Sequence, residues 1–170
     1  DYADAKDAAI IVVTAGAAQK PGETRLDLIK KNIGIFSGIM PQIKEQHCEG
    51  IMLVVANPVD VLTYYAIKNS GMPEGRVFGS GTVLDTARLR YLIGTKMDVD
   101  PKSVHAYVIG EHGDSELITW SNANVSSVPL ADFMALRGMG DQDLQEAEKE
   151  MAIDVKNSAY EIIQKKKATY

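Results

Sequence analysis

His112 stands in Gly110-Glu111-His112-Gly113-Asp114, a polar turn directly after an apolar run. A histidine so placed can give or take a proton near neutral pH, and it can equally be a surface or capping residue. Asp85 and Arg88 are three residues apart and share a face if their segment is helical. One reading is an intrahelical ion pair of little energetic weight. The other splits them: Asp85 orients a histidine and stabilises its cation, while Arg88 offers a planar fork to a substrate carboxylate. Arg25 closes the polar stretch Gln19-Lys20-Pro21-Gly22-Glu23-Thr24. A loop between a buried strand and a helix lies where α/β sheets place ligands, and it can close to exclude water. A solvated turn is the alternative. Asn57, just before Pro58, ends another apolar run and suits either a ligand contact or an Asx-type turn. Cys48 beside His47 has no third ligand at metal spacing, so no metal is expected. Neither GxGxxG nor GxxxxGK[ST] occurs, and Gly79-Ser80-Gly81 is too short to be a phosphate loop alone.

The elements that must carry these residues follow from hydrophobic spacing. Residues 8–15, AAIIVVTA, lack polar alternation and read as a strand buried on both faces of a parallel sheet. Residues 24–46 have helical periodicity through Leu28, Ile29, Ile33, Phe36, Ile39 and Ile43. Thr24 and Asp27 resemble a capping box at its start, and Pro41 can kink it. A strand at 51–56, a helix at 59–69 and a short strand at Val77-Phe78 complete a βαβαβ pattern. Beyond residue 80 the texture changes. A helix is expected over 82–94, one alternating strand over 104–109, a short strand or turn within 116–123, then a connector. A long helix over 142–166 carries Leu144, Ala147, Met151, Val155, Ala159 and Ile162 on one stripe, with Glu161 and Lys165 ordered as a favourable pair. The fold class is α/β: a doubly wound parallel, Rossmann-type sheet, then an α+β part. The boundaries are 1–79 and 80–170.

Composition narrows the function. In 170 residues, 18 Lys and Arg face 23 Asp and Glu, for a net charge of -5. Such a chain is a poor general binder of nucleic acid. One cysteine excludes an internal disulfide framework. No apolar run is long enough to span a membrane, and no basic-then-apolar leader opens the chain, so a cytoplasmic location is expected. The first residue is Asp1 and the last, Tyr170, directly follows a helical pattern; an internal portion of a longer chain is expected.

Taken together, the segments resemble the lactate/malate dehydrogenase family, on its bacterial L-lactate dehydrogenase side. The blocks are TAGAAQKPGETRLDL at 14–28, NPVD at 57–60, GSGTVLDTARLR at 79–90 and VIGEHGDSE at 108–116, with IIQKKKATY at 162–170 as a weaker one. The resemblance implies an NAD-dependent enzyme that interconverts pyruvate and L-lactate. It makes His112 the proton donor to the carbonyl oxygen, Asp85 its carboxylate partner, Arg88 the carboxylate anchor and Arg25 the lid arginine that polarises the carbonyl. Asn57 and Thr169 join the substrate site. Cofactor contacts fall at Thr14, Ala15, Gly16, Asn32, Ala56 and Asn57. Gln19 stands where malate dehydrogenases typically have arginine for a second substrate carboxylate; a neutral glutamine leaves that charge unmatched and favours pyruvate.

The resemblance extends to regulation and assembly. Arg90 and His105 match the positions through which bacterial members bind the activator fructose 1,6-bisphosphate, and a homotetramer is implied. Two departures stand out: Lys167 precedes Ala168 where the family has glycine, and the family's first βα unit, with its GxGxxG turn, is not in the sequence. Malate or another 2-hydroxyacid is the alternative substrate, and a noncatalytic oligomerisation or sugar-phosphate-binding fragment the alternative class.

Overall fold

The structure is a computed structural model that describes residues 1–18 and 24–166, with Arg25 described by its backbone alone. The chain divides into two compact units, Asp1–Gly81 and Thr82–Tyr170.

The first unit alternates strand and helix: β1 (Ile10–Val13), α1 (Arg25–Glu45), β2 (Ile51–Val54), α2 (Val59–Asn69) and β3 (Val77–Gly79). The three strands are parallel, in the order β1-β2-β3, with Ile10 opposite Ile51 and Met52 opposite Val77. α1 starts with a complete capping box. The Asp27 N–H donates to Thr24 Oγ1 at 3.2 Å, and the Thr24 N–H donates to Asp27 Oδ2 at 3.1 Å. Its apolar stripe buries Phe36, Met40 and Ile43 against Val13, Met52, Val54 and Leu62. Pro41 sits inside α1 without ending it. The proline ring is exposed, as is Ser37, whose carbonyl loses its partner, so water can satisfy that carbonyl.

One expectation is corrected. The strand over 8–15 is not buried on both faces: Val13 is buried, but Ile10 is 62% and Val12 53% exposed. The core residues of β1 and β2 that meet α1 lie on one face, and Ile10, Val12, Ile51 and Phe78 remain exposed. A run of apolar residues cannot by itself say which faces are covered.

The second unit begins with α3 (Val83–Met97) and continues through β4 (Val104–His105), β5 (Val108–Ile109), β6 (Leu117–Ile118), β7 (Asn124–Val125), β8 (Val128–Pro129), α4 (Leu130–Leu136) and α5 (Asp141–Lys166). β4, β7 and β8 form one antiparallel sheet, and β5 pairs antiparallel with β6. α5 buries Ala147, Met151 and Val155 in a core shared with Leu89, Ile93 and Met134. The Lys96 ammonium meets the Glu150 carboxylate at 2.7 Å, tying α3 to α5, and Lys165 pairs with Glu161 along α5. The first unit is thus a parallel Rossmann-like sheet and the second a mixed α+β unit. Among the described residues, no helix is long and apolar enough to cross a membrane.

Three expectations for this unit change. The strand over 104–109 is two strands with different partners, although burial still alternates from Val104 to Ile109. The connector contains α4 and two-residue strands, too short to show a period. The helix expected to stop at residue 94 runs to Met97 and ends at Asp98 in the left-handed region. Gly94 is buried in the helix because the chain beyond folds back onto it. A Cβ there would lie 3.0 Å from both the Val99 carbonyl oxygen and Pro101 Cγ. Gly94→Ala should therefore destabilise the protein by about 1–2 kcal/mol, against the gain of about 1 kcal/mol that helix propensity alone gives. Urea denaturation measures the sign directly.

Candidate active site

The second unit builds its site from α3 and the turn after β5. Thr82, Asp85, Thr86 and Leu89 follow helical spacing along one face of α3. The Thr82 hydroxyl donates to the Val108 carbonyl at 2.6 Å, and the Val108 N–H donates to Thr86 Oγ1 at 3.0 Å. These bonds pin the start of β5 to the first turns of α3. The chain then leaves β5 through Gly110 and Gly113, both at positive φ, a conformation that costs a glycine little. The turn between them delivers His112 back to α3.

His112 Nδ1 lies 2.6 Å from Asp85 Oδ2, and Arg88 Nη1 donates to Asp85 Oδ1 at 3.1 Å. The Asp85 side chain is only 3% exposed, the His112 ring 24%. Burial pushes the Asp85 carboxyl up. The hydrogen bond and charge of His112, with the charge of Arg88, outweigh this and hold it below its ordinary value. Both carboxylate oxygens are occupied, so Asp85 fixes the ring and favours its cation. His112, Asp85 and Arg88, singled out separately in the sequence, are thus one cluster.

Glu116 ends the VIGEHGDSE block, and the resemblance assigns it no role. It is buried, and one ligand atom from each of Asp85, His112 and Glu116 lies within 4.8 Å of the others. A cation there would have to displace the bond between His112 Nδ1 and Asp85. Burial, and then the charge of Asp85, push the Glu116 carboxyl up; His112 and Lys156 draw it back. A glutamate between a polar turn and an apolar residue is the only local signal, and burial is not legible from it.

In the first unit, Asn32 organises the carboxyl ends of the strands. It is fully buried. Its Oδ1 accepts from the Ala17 N–H at 2.7 Å, and its Nδ2 donates to the carbonyls of Asn57 at 2.7 Å and Ala17 at 3.2 Å. One side chain therefore joins the loop after β1 to the loop after β2. A Cβ on Gly16 would approach Ala56 Cβ to 3.2 Å, so the two loops leave no space for a side chain there. Thr14, Ala15, Gly16 and the Asn57 residue are exposed beside this hub. An open rim of small residues at the carboxyl edge fits a flat cofactor that approaches the backbone closely.

Arg90, on α3, donates from Nη2 to the Pro101 carbonyl at 3.3 Å, while its buried Nε has no partner among the described residues. His105, four residues after Pro101, is exposed on β4. Arg25 opens α1. Its side chain, Gln19 and Thr169 lie outside the described residues.

Comparison with known proteins agrees across the chain. Residues 1–79 match the family model of the lactate/malate dehydrogenase NAD binding domain, and residues 82–170 that of the lactate/malate dehydrogenase alpha/beta C-terminal domain. An L-lactate dehydrogenase of Bacillus pumilus is 54% identical over 170 residues, covering 100% of this chain and 53% of the relative. A solved lactate dehydrogenase from a Medee basin deep-sea metagenome library superposes with a TM-score of 0.90 at 50% identity, covering 100% of this chain and 53% of that one. The ligand-bound minor L-lactate dehydrogenase of Enterococcus mundtii does so with a TM-score of 0.90 at 46% identity and the same coverage. The chain spans about half the length of the curated relatives it matches.

The Asp85 site has a signature in acid. A carboxyl held low by folding stabilises the folded state above its ordinary value and loses that contribution as pH falls through the lowered one. Asp85→Asn should unfold at lower urea than the parent at pH 7, and the gap should close as pH falls below 3.8. A gap independent of pH would remove Asp85 from the charge pair.

Proposed function

We propose, from the premise that the chain belongs to the lactate/malate dehydrogenase family, that it performs reversible hydride transfer between NADH and pyruvate to give L-lactate. The observation that carries this reading is the buried Asp85 carboxylate bonded to His112 Nδ1 at 2.6 Å. Residues 1–79 serve as the latter part of an NAD-binding Rossmann domain and 80–170 as part of the substrate-binding, catalytic domain. The protein is a cytoplasmic homotetramer in this reading.

NADH, when bound, supplies the hydride that reaches C2 of pyruvate. Thr14, Ala15, Gly16, Ala56 and Asn57 would hold it, with Asn32 locking the two loops it lies against. The protein's own work is positioning and proton transfer. Arg88 holds the substrate carboxylate in two parallel hydrogen bonds, which fixes the carbonyl against the histidine. His112 gives its Nε2 proton to the carbonyl oxygen as that oxygen gains charge, and the reverse reaction returns it. Asp85 stays ionised throughout and supports the imidazolium before transfer. Arg25 polarises the carbonyl, and its effect grows as the loop expels water. Gln19 and Thr169 line the methyl side, where a neutral glutamine gives a second carboxylate no partner.

Arg90 and His105 are proposed to bind the phosphates of fructose 1,6-bisphosphate and so bias the assembly towards its active arrangement. Support comes from an arginine whose Nε is buried without a partner among the described residues, and from an exposed histidine.

Three kinetic outcomes are expected. His112→Ala should lower pyruvate turnover by about a thousandfold while NADH still quenches or enhances fluorescence on binding; an unchanged rate would rule out the acid/base role. Gln19→Arg should shift the ratio of kcat/KM values towards oxaloacetate, measured beside pyruvate and 2-oxobutyrate. A parent protein that already prefers oxaloacetate would transfer the assignment to malate. Arg90→Gln combined with His105→Gln should bring the ratio of rates with and without fructose 1,6-bisphosphate down to one.

A further inference from the structure

The pair formed by Asp85 and His112 has a neighbour that the proposed chemistry leaves unused. Glu116 is only 7% exposed, and one of its carboxylate oxygens lies within 4.8 Å of ligand atoms of both partners. No side chain among the described residues donates a hydrogen bond to it. We propose that Glu116 is a positioning residue of the acid/base pair: its buried carboxylate is a second anion beside the His112 ring and keeps that ring protonated until hydride transfer. The inference rests on the reading of His112 as the acid/base group.

Charged groups reach the neighbourhood of the ring from three elements. α3 supplies Asp85 and Arg88, the turn supplies Glu111, Asp114 and Glu116, and α5 supplies Lys156. Glu111 is exposed and accepts from the Ser115 hydroxyl at 2.8 Å. Asp114 is also exposed, and the Lys156 ammonium donates to its backbone carbonyl at 2.9 Å. Arg88 shares Asp85 with the histidine. Among the described residues, Glu116 when ionised is a second buried carboxylate within reach of the ring, and an anion beside an imidazolium in a poorly solvated site favours the charged form. When the ring has given up its proton, the two carboxylates are left facing one cation fewer, and their repulsion favours taking a proton back from solvent.

Burial and Asp85 push the Glu116 carboxyl up, so the folded protein holds its proton more tightly than the unfolded chain does. Stability from that residue is full below about 4.5 and declines as pH rises. Ionising Glu116 at neutral pH therefore takes away part of the stability of the folded state.

The test is NMR titration of the carbon-13-labelled His112 ring in the purified protein and in Glu116→Gln. The ring's midpoint should fall by about one pH unit in the variant. The alkaline limb of pyruvate reduction should fall with it, while KM for pyruvate at pH below that limb stays unchanged, since Arg88 is intact. The variant should also unfold at higher urea at pH 7, an advantage that vanishes below pH 4.5. An unmoved ring midpoint overturns the inference. A ring that moves while the rate profile stays put upholds the electrostatic role of Glu116 and overturns the acid/base reading of His112 instead. If Glu116→Gln does not fold, His112→Ala decides by reciprocity. The Glu116 carboxyl should then titrate at higher pH than in the parent, and an unchanged titration overturns the inference.

Discussion

Asp85 is the group around which the second unit is arranged. A carboxylate taken out of water is tolerated only with partners that satisfy its charge and its lone pairs. Here those partners come from two places: Arg88 one turn along the same helix, and His112 from a turn 27 residues further on. The first is supplied by local spacing. The second depends on tertiary structure, because β5 has to dock on α3 in one register for the ring to arrive. Thr82 and Thr86 enforce that register through Val108. The geometry that brings the histidine to the carboxylate is therefore also what makes the aspartate tolerable.

The first unit solves a related problem without charge. The loops after β1 and β2 come from strands 41 residues apart at matched positions, as Val13 and Val54 or Ile10 and Ile51 show the register. Asn32 spends its acceptor and both donor hydrogens on their backbone. A neutral amide can be fully buried because its hydrogen bonds are made, which a lone carboxylate could not match. The rim that results is stiff underneath and exposed on top, a suitable floor for a ligand.

Much of this was legible from residue patterns. α1 announces itself by apolar spacing and a capping box, and α5 by its stripe. The blocks around residues 85 and 112 contain the cluster's members without showing that they touch. What was hidden depends on the neighbours a segment acquires. The apolar run of β1 does not say that Ile10 and Val12 stay exposed. Gly94 looks like a helix end and is instead a contact point for the returning chain. Glu116 has the composition of a surface residue, and only packing makes it a buried acid. Gln19, Thr169 and the Arg25 side chain stay at the level of sequence.

The alternation from Val104 to Ile109 outlives the change of sheet partner at its middle. Val104, Ala106 and Val108 point into one core, while His105, Tyr107 and Ile109 point outward. The segment behaves as a ruler with a two-residue step. Its chemistry can drift, since several small apolar side chains fit the inward positions, but its length cannot. One residue more or fewer would turn the inward set outward and shift the phase of everything downstream, including the glycine turn that brings His112 to Asp85. Substitutions can therefore accumulate along this stretch over evolutionary time, whereas insertions and deletions belong in the loops on either side.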